Sequence, residues 1–296
     1  MSGRPEVKYA FVRYHRDEFD VLLMCEVLGA SKSGFYAWVG RDRSGKVQSR
    51  LELKIAIEKA FVGGRGSYGS PRIYKVLKGL GYQVSEDTVA KLMQEIGLKA
   101  KTKRKFRVAT TDSKHTLPIA ENRLDQVFEA SMPGEVMLSD ITYIPTGEGW
   151  LYLAGVLDLC SRQLVGWAMA DNMETKLVID ALNMALIRQK PKSAAIFHSD
   201  RGGQYASYEF QGQLTAYGLV ASMSRSGNCY DNAPMESFWH TLKTEFVHHE
   251  QFATRAEAKA KIFESIEVFY NRARLHSSLG YKTPVDFAQE KMLDAA

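Results

Sequence analysis

Asp140, Asp200 and Glu236 are the acids least readily explained as ordinary surface charge. Asp140 stands inside the apolar run LSDITYI, where a strand would normally exclude a carboxylate. Asp200 ends AAIFHSD, at the carboxyl end of a short buried strand where α/β sheets gather ligand groups, and Gly202 and Gly203 behind it let a substrate backbone come close. Glu236 lies in NAPMESFWHTLKTEF, where Pro234 opens a helix and puts the glutamate in its first turn, near the positive end of the helix dipole. Each acid taken alone is better read as half of an ion pair or as a cap. Two strands and a helix converging with three carboxylates would repel unless cations lay between them, and oxygen-only donors suit Mg²⁺ or Mn²⁺. Two such ions ~3.5–4 Å apart can activate a water or a 3′-hydroxyl and stabilise the leaving oxygen of a phosphodiester, with no covalent nucleophile.

The elements that must position these acids are legible around them. Runs 136–145, 149–160 and 163–170 are β-rich with very short connections, which predicts an antiparallel meander. A helix over 173–188, a short buried strand over 194–198, a helix over 205–217 and a strand over 219–223 follow. The order βββαβαβα implies an α/β fold, one mixed sheet with helices on its faces.

The first hundred residues differ in character. Within 69–100, Ser70 is an N-cap candidate, Pro71 opens the helix, Ile73, Leu77 and Leu80 form a stripe and Gly81 stops it. Ser85 caps a second helix, with Glu86 and Asp87 in its first turn, Val89, Leu92, Met93 and Ile96 on one stripe, and Gly97 as its stop. Two short helices across a tight turn outline a helix-turn-helix, and an ordinary helical hairpin is the alternative. The basic cluster Lys99, Lys101, Lys103, Arg104, Lys105 and Arg107 directly behind favours DNA. Residues 19–28 and 31–38, broken at Gly29, are either a second such motif or a small core built on Phe35, Tyr36 and Trp38. Gly64, Gly66 and Gly69 spell GxGxxG, but 51–62 before them is a charged helix and not the strand a dinucleotide site requires.

Composition agrees with this division. The 296 residues, 45% hydrophobic and 25% charged, describe a globular chain large enough for two domains. The net charge of +5 conceals an asymmetry: 22 Lys+Arg against 11 Asp+Glu up to Arg107, a net of +11, then 17 against 23, a net of −6. The basic half is the nucleic-acid candidate. Cys25, Cys160 and Cys229 are too dispersed for a disulfide framework or a zinc site, and no apolar run approaches the ~20 residues of a membrane span, so a cytoplasmic protein is expected. The expected organisation is a helical segment over 1–45, a helix-turn-helix domain with its basic tail over 46–107, a linker over 108–132, a catalytic core over 133–250 and a helical extension over 251–296.

Four strings in order, SDITYIPTGEGWLYLAGVLDLCSRQLVGWAM, HSDRGGQY, SMSRSGNCYDNAPMESFWHTLKTE and FYNRARLHSSLGYKTP, resemble the second-reading-frame transposases of the IS-three family of insertion sequences, part of the retroviral-integrase-like DDE superfamily. The likeness runs over most of 30–287, and the 35 residues between Asp200 and Glu236 match the family's spacing. It implies a ribonuclease-H-like core of five strands, cleavage of element ends and transfer of a 3′-hydroxyl to DNA. It also implies Mg²⁺ as cofactor, as two ions with Mn²⁺ a substitute, and Asp140, Asp200 and Glu236 as the acids that hold them. The implied partners are double-stranded DNA at the terminal inverted repeats and the target, further copies of the chain on that DNA, and the upstream-frame protein or its frameshift fusion. Lys243 matches a basic residue seven after the glutamate; at roughly 100° per residue it sits about 20° from Glu236 on one helix face, within reach of a phosphate, or else is a solvated lysine. Met137 stands where relatives usually carry Trp, and Pro133-Gly134 replaces Pro-Asn; neither removes an acid. No heptad run of zipper length occurs, so recognition of the DNA ends is expected to depend partly on a separate segment.

Other polar residues admit two readings. His198 and Arg201 flank Asp200 and could orient a phosphate, with a structural role for His198 at least as well supported. Asp158 reads as a hydrogen-bond acceptor at a strand end more than as a fourth acid, and Asp231 and Asn232 as turn and cap residues. His240 either touches DNA or packs its helix. The tail motif Tyr270, Asn271, Arg274 and His276 has no account from sequence.

Overall fold

A computed structural model describes residues 5–16, 18–40, 43–101 and 116–295. The chain divides into two compact units, 1–59 and 60–296. In the first, α1 (Pro5–His15), α2 (Val21–Val27) and α3 (Lys32–Gly40) gather around Val12, Met24, Cys25 and Phe35, with Trp38 partly buried beside them. Phe35 and Trp38 are therefore core residues, whereas Tyr36 is exposed. Asp20 caps α2 by accepting from the amides of Leu22 and Leu23 at 2.8 and 3.1 Å.

α4 (Arg43–Gly63) leads into the second unit, so the glycines of the GxGxxG string do follow a helix. Next come α5 (Ser70–Gly79) and α6 (Glu86–Glu95). Gly69, not Ser70, occupies the N-cap of α5, because Ser70 is already helical ahead of Pro71. Leu80 ends α5 exposed, outside the stripe expected of it: the chain reverses at Gly81, φ +87°, and only Ile73 and Leu77 face inward. α6 follows its sequence closely, with the Ser85 hydroxyl accepting from the Thr88 amide at 3.3 Å and Val89, Leu92 and Met93 buried.

Five strands form the sheet that carries the acids: β1 (Val136–Thr146), β2 (Gly149–Asp158), β3 (Leu164–Ala170), β4 (Ile196–Ser199) and β5 (Val220–Met223), in spatial order β3-β2-β1-β4-β5. β1, β2 and β3 are the antiparallel meander, and β4 and β5 add parallel to β1. Both faces are covered, so neither shows a polar side. On one face α7 (Thr175–Arg188), α8 (Gly203–Ala206) and α9 (Tyr208–Ala216) pack onto Met137, Ala154, Val156 and Phe197. On the other, α10 (Ala233–Glu245), α11 (Arg255–Glu264) and the π-helical turn Ser265–Tyr270 pack onto Leu138, Ile144, Leu151, Leu153 and Leu157. α12 (Pro284–Asp294) closes the chain. The period of two along β1 thus sends Leu138, Asp140 and Ile144 toward α10, and Met137 and Ser139 toward α7 and α8.

The helix expected over 205–217 is interrupted at Ser207, which takes an extended conformation and caps α9 through the Phe210 amide, 3.2 Å. Residues 116–132, expected as part of a linker, lie along the core: Leu124 is buried, the Arg123 amide donates to Ser222 Oγ at 2.8 Å, and Asn122 and Gln126 both donate to Asp231.

Candidate active site

The β1–β4 ladder pairs Val136 with Ile196, Met137 with Phe197 and Leu138 with His198. Two residues further along each segment stand Asp140, still on β1, and Asp200, one residue beyond the end of β4. Asp140 is half-buried on β1, and Asp200 sits just past the last residue of β4, where its Oδ1 accepts from the Gly202 amide at 2.8 Å. Gly202 here caps the aspartate; a Cβ at this position would press on that carboxylate at 3.0 Å.

α10 supplies the third acid. Pro234 lies in its first turn, as does Glu236, and the side chain reaches solvent. A close approach makes this possible. Gly155, paired with Asp140 across β1 and β2, sits under the helix, where a Cβ would meet Met235 Cε at 2.7 Å and Trp239 Cη2 at 2.9 Å. With no side chain there, Trp239 settles into the core and its indole N–H donates to Asp140 Oδ2 at 2.9 Å.

Electrostatically the acids are frustrated. Burial, then the like charges of Asp200 and Glu236, pushes the Asp140 carboxyl well above the usual range. Glu236 is raised as well, by desolvation and Asp200 together, against a lowering pull from Lys243. Lys243 is half-buried, with its ammonium 5.1 Å from the centre of the Tyr143 ring; burial lowers its pKa while Asp140 and Glu236 hold it up. Three oxygen donors that repel one another beside one lysine fit a hard divalent cation. Among the described residues no three acidic, histidine or cysteine side chains are already drawn together tightly enough to cage one ion.

The neighbouring polar residues sort out differently. His198 is fully buried between Ser222 Oγ (2.9 Å) and Ser224 Oγ (3.1 Å), and burial lowers its pKa to about 4, so it is a neutral structural group. Arg201 donates from Nε to the Ser224 carbonyl. Asp158 is a strand-end acceptor, taking bonds from Ser161 N and Oγ, Gly134 N and Gln189 Nε2. Asp231 is more than a turn residue. Arg225 grips it through Nε at 2.9 Å and Nη2 at 2.7 Å, and this holds its carboxyl far below the usual range. Asn232 occupies the N-cap of α10 but makes no side-chain cap; its amide instead donates to the Ser139 carbonyl at 3.1 Å, because the loop turns it inward against β1. His240 is exposed, 3.5 Å from Thr244 Oγ1.

The basic cluster behind α6 divides. Lys99 is exposed, whereas Lys101 donates to the Glu245 carbonyl at 3.0 Å and so ties the segment to the end of α10. Lys103, Arg104, Lys105 and Arg107 lie outside the described residues.

The tail motif gains a structural account. Asn271 brackets the start of β3, accepting from Leu164 N at 3.0 Å and donating to Leu164 O at 3.1 Å; Tyr270 donates to Arg162 O. Arg274 forks onto Glu245 at 2.7 and 2.6 Å, while Tyr68 and Arg72 of the α5 region bond the backbone at Ala273 and Leu275. Trp239 and Glu245 are among the residues sequence reasoning passed over; an aromatic one turn after Glu236, and an acid at the disfavoured negative end of a helix, were their signals.

Comparison with known proteins agrees with this architecture. Two family models described as Integrase core domain match residues 130–229 and 217–284, and one described as HTH-like domain matches 48–106. The chain is 47% identical over 267 residues, 90% of its length and 98% of the relative's, to an uncharacterized 31 kDa protein of insertion element IS600 from Shigella sonnei. It is 43% identical to transposase InsF of insertion sequence IS3A from Escherichia coli K12 over 288 residues, 97% of this chain and 100% of that one. A looser likeness, TM-score 0.43 at 15% identity over 54% of this chain and 99% of the other, is to the HTLV-2 integrase catalytic core domain in complex with magnesium. With near-complete coverage of both chains at this identity, the chain belongs to the IS3 family of insertion-sequence transposases.

Proposed function

We propose that the chain is a DNA strand transferase that cuts insertion-sequence ends and joins their 3′-hydroxyls to target DNA, with Asp140, Asp200 and Glu236 as its catalytic, metal-holding acids. The observation that supports this reading is the placement of Asp140 and Asp200 two residues beyond the last paired residues of the parallel strands β1 and β4, with the charges of Asp200 and Glu236 acting on Asp140 and with Asp140 and Glu236 both raised in pKa. Asp140, Asp200 and Glu236 would hold Mg²⁺ or Mn²⁺, as two ions, and the charge so supplied would open a phosphodiester to attack and stabilise its leaving oxygen. The chain's own groups prepare the place for that chemistry. Trp239 fixes one oxygen of Asp140, the Gly202 amide fixes one oxygen of Asp200, and Gly155 lets the helix bearing Glu236 lie close. Lys243, on the same helix face and steadied by Tyr143, offers its ammonium to a phosphate beside the acids.

DNA ends are held, in this reading, by the helix-turn-helix segment of 46–107, with Lys99 and the basic residues after it on the phosphates and Arg201 nearer the acids. The core spans 133–250 with its extension 251–296, and the chain acts as an oligomer on DNA together with the upstream-frame protein or its fusion. The deciding experiment supplies pre-cut element ends, target DNA and Mg²⁺. Joined products that vanish with Asp200→Asn while DNA binding persists are the expected result. Cleavage without joining would make the chain a hydrolytic nuclease, and an Asp200→Asn variant with unaltered activity would remove the acids from the chemistry.

A further inference from the structure

The β1–β4 ladder stops at Leu138 and His198, one residue short of Ser139 and two short of Asp140. Beyond that point no backbone pairing sets the distance from Asp140 to Asp200, which already lies outside β4, or to Glu236, which lies on another layer. A separate device has to hold the three acids in place. It converges on one residue. Ser139 donates its hydroxyl proton to the Gly155 carbonyl at 2.8 Å, so the 2.8 Å bond between Ser139 Oγ and Tyr205 Oη must have the tyrosine as donor. Tyr205 comes from α8, five residues after Asp200. The Ser139 carbonyl, past the end of the parallel ladder, accepts from Asn232 Nδ2 at 3.1 Å, and Asn232 precedes Glu236 by four residues. All three residues are at least 95% buried.

Asn232 makes this bond at a visible sacrifice. It stands at the N-cap of α10, where its side chain would ordinarily accept from the helix's own amides, yet it makes no such cap and its buried Oδ1 has no hydrogen-bond partner among the described residues. An asparagine chosen for stability alone would not be turned this way. Burial and the charges of Asp140 and Asp200 raise the Tyr205 phenol well above its usual value, which keeps it protonated and a donor.

We propose that Ser139, Tyr205 and Asn232 are positioning residues: a buried knot that ties the Asp200 loop and the start of the Glu236 helix to β1, and so sets the separation of the three carboxylates for divalent ions. This rests on the reading of those acids as the metal-holding groups. The test is calorimetric titration of the full chain with Mn²⁺ in the absence of DNA, alongside the Mg²⁺ concentration for half-maximal joining and the thermal midpoint. Tyr205→Phe keeps the ring and removes only the donor; Ser139→Ala serves as the second variant if Tyr205→Phe does not fold. Each is expected to weaken Mn²⁺ binding and raise the Mg²⁺ requirement by roughly 10-fold or more, the range typical of residues that orient metal ligands, while joining at saturating metal and affinity for DNA ends stay near the parent's. Mn²⁺ affinity within twofold of the parent, whatever happens to the thermal midpoint, would show a merely structural knot and overturn the proposal. Asp200→Asn is the control that separates the two ideas. If it abolishes Mn²⁺ binding while Tyr205→Phe leaves it unmoved, only the knot fails; if Asp200→Asn binds Mn²⁺ normally, the reading of the acids fails and the knot with it.

Discussion

The two ends of α10 carry glutamates in opposite circumstances. Glu236, in the first turn, sits where the helix dipole welcomes an acid, yet desolvation and then the charge of Asp200 raise its pKa. Glu245, the last residue, sits where the dipole repels an acid, yet it is firmly held: Arg274 forks onto it, Arg72 approaches to 3.8 Å, and its carbonyl accepts from Lys101. Local helix physics favours the first and opposes the second, and tertiary neighbours reverse both. The frustrated acid is the one available to bind something. The satisfied acid is a joint, tying the α5 region and the tail motif to the helix whose other end bears Glu236.

Exchanging charge for amide at each end should separate these roles. Glu236→Gln is expected to lower joining by on the order of 10³-fold, since several kcal/mol of transition-state stabilisation depends on the held charge, with the thermal midpoint unchanged or raised as repulsion is relieved. Glu245→Gln should do the reverse. It leaves the buried Arg274 without its counter-charge, which costs about 3–5 kcal/mol, visible in denaturant unfolding, while the folded fraction keeps its activity. Equal effects of the two variants on activity per folded molecule would erase the distinction.

Gly155→Ala probes how closely the Glu236 end of α10 must approach. The added methyl would meet Met235 and Trp239, so a loss of about 1–3 kcal/mol in stability is expected, together with reduced joining as α10 lifts from Asp140. A stability loss with unaltered joining would mean the close approach serves packing alone.

Acid should find the buried His198 and the half-buried His276 on the two sides of the comparison. His198 near Asp200 is lowered to about 4, and His276 near Arg274 to about 3, in each case chiefly by burial. Their folded-state values lie below the unfolded one, so the unfolded chain takes up protons first. Their contribution to stability is therefore full above about pH 6.5 and is lost progressively as pH falls toward 4. Thermal midpoints recorded from pH 7 to pH 4.5 should show that decline, and a His198→Gln variant should show a shallower one. The smallest effect is expected at Lys243. Its replacement by Ala should reduce the salt dependence of binding to pre-cut ends by about one phosphate contact, and an unchanged slope would return it to a packing role against Tyr143.

Much of the site is legible in the chain because its signals are local. The period-two runs around Asp140, the short apolar strand before Asp200 and Pro234 just ahead of Glu236 each announce an element and a position within it. Asp231 misleads for the same reason: beside a helix start it resembles a cap, and only the folded chain brings Arg225, Asn122 and Gln126 to it. Leu80 misleads in the other direction, since its spacing fits the stripe but the turn at Gly81 leaves it outside.

By itself, then, the sequence determined the strand and helix order, the three acids as candidates and the family, since periodicity, turn residues and motif spacing act over a few neighbours. Only the tertiary structure decided which polar groups restrain those acids: the indole of Trp239 on Asp140, the convergence of Tyr205 and Asn232 on Ser139, and the clamp of Arg274 and Arg72 on Glu245. Those bonds, apart from the serine's own, join residues 29 to 173 positions apart, and the partner of a buried donor at such separations is set by packing, which no local pattern encodes.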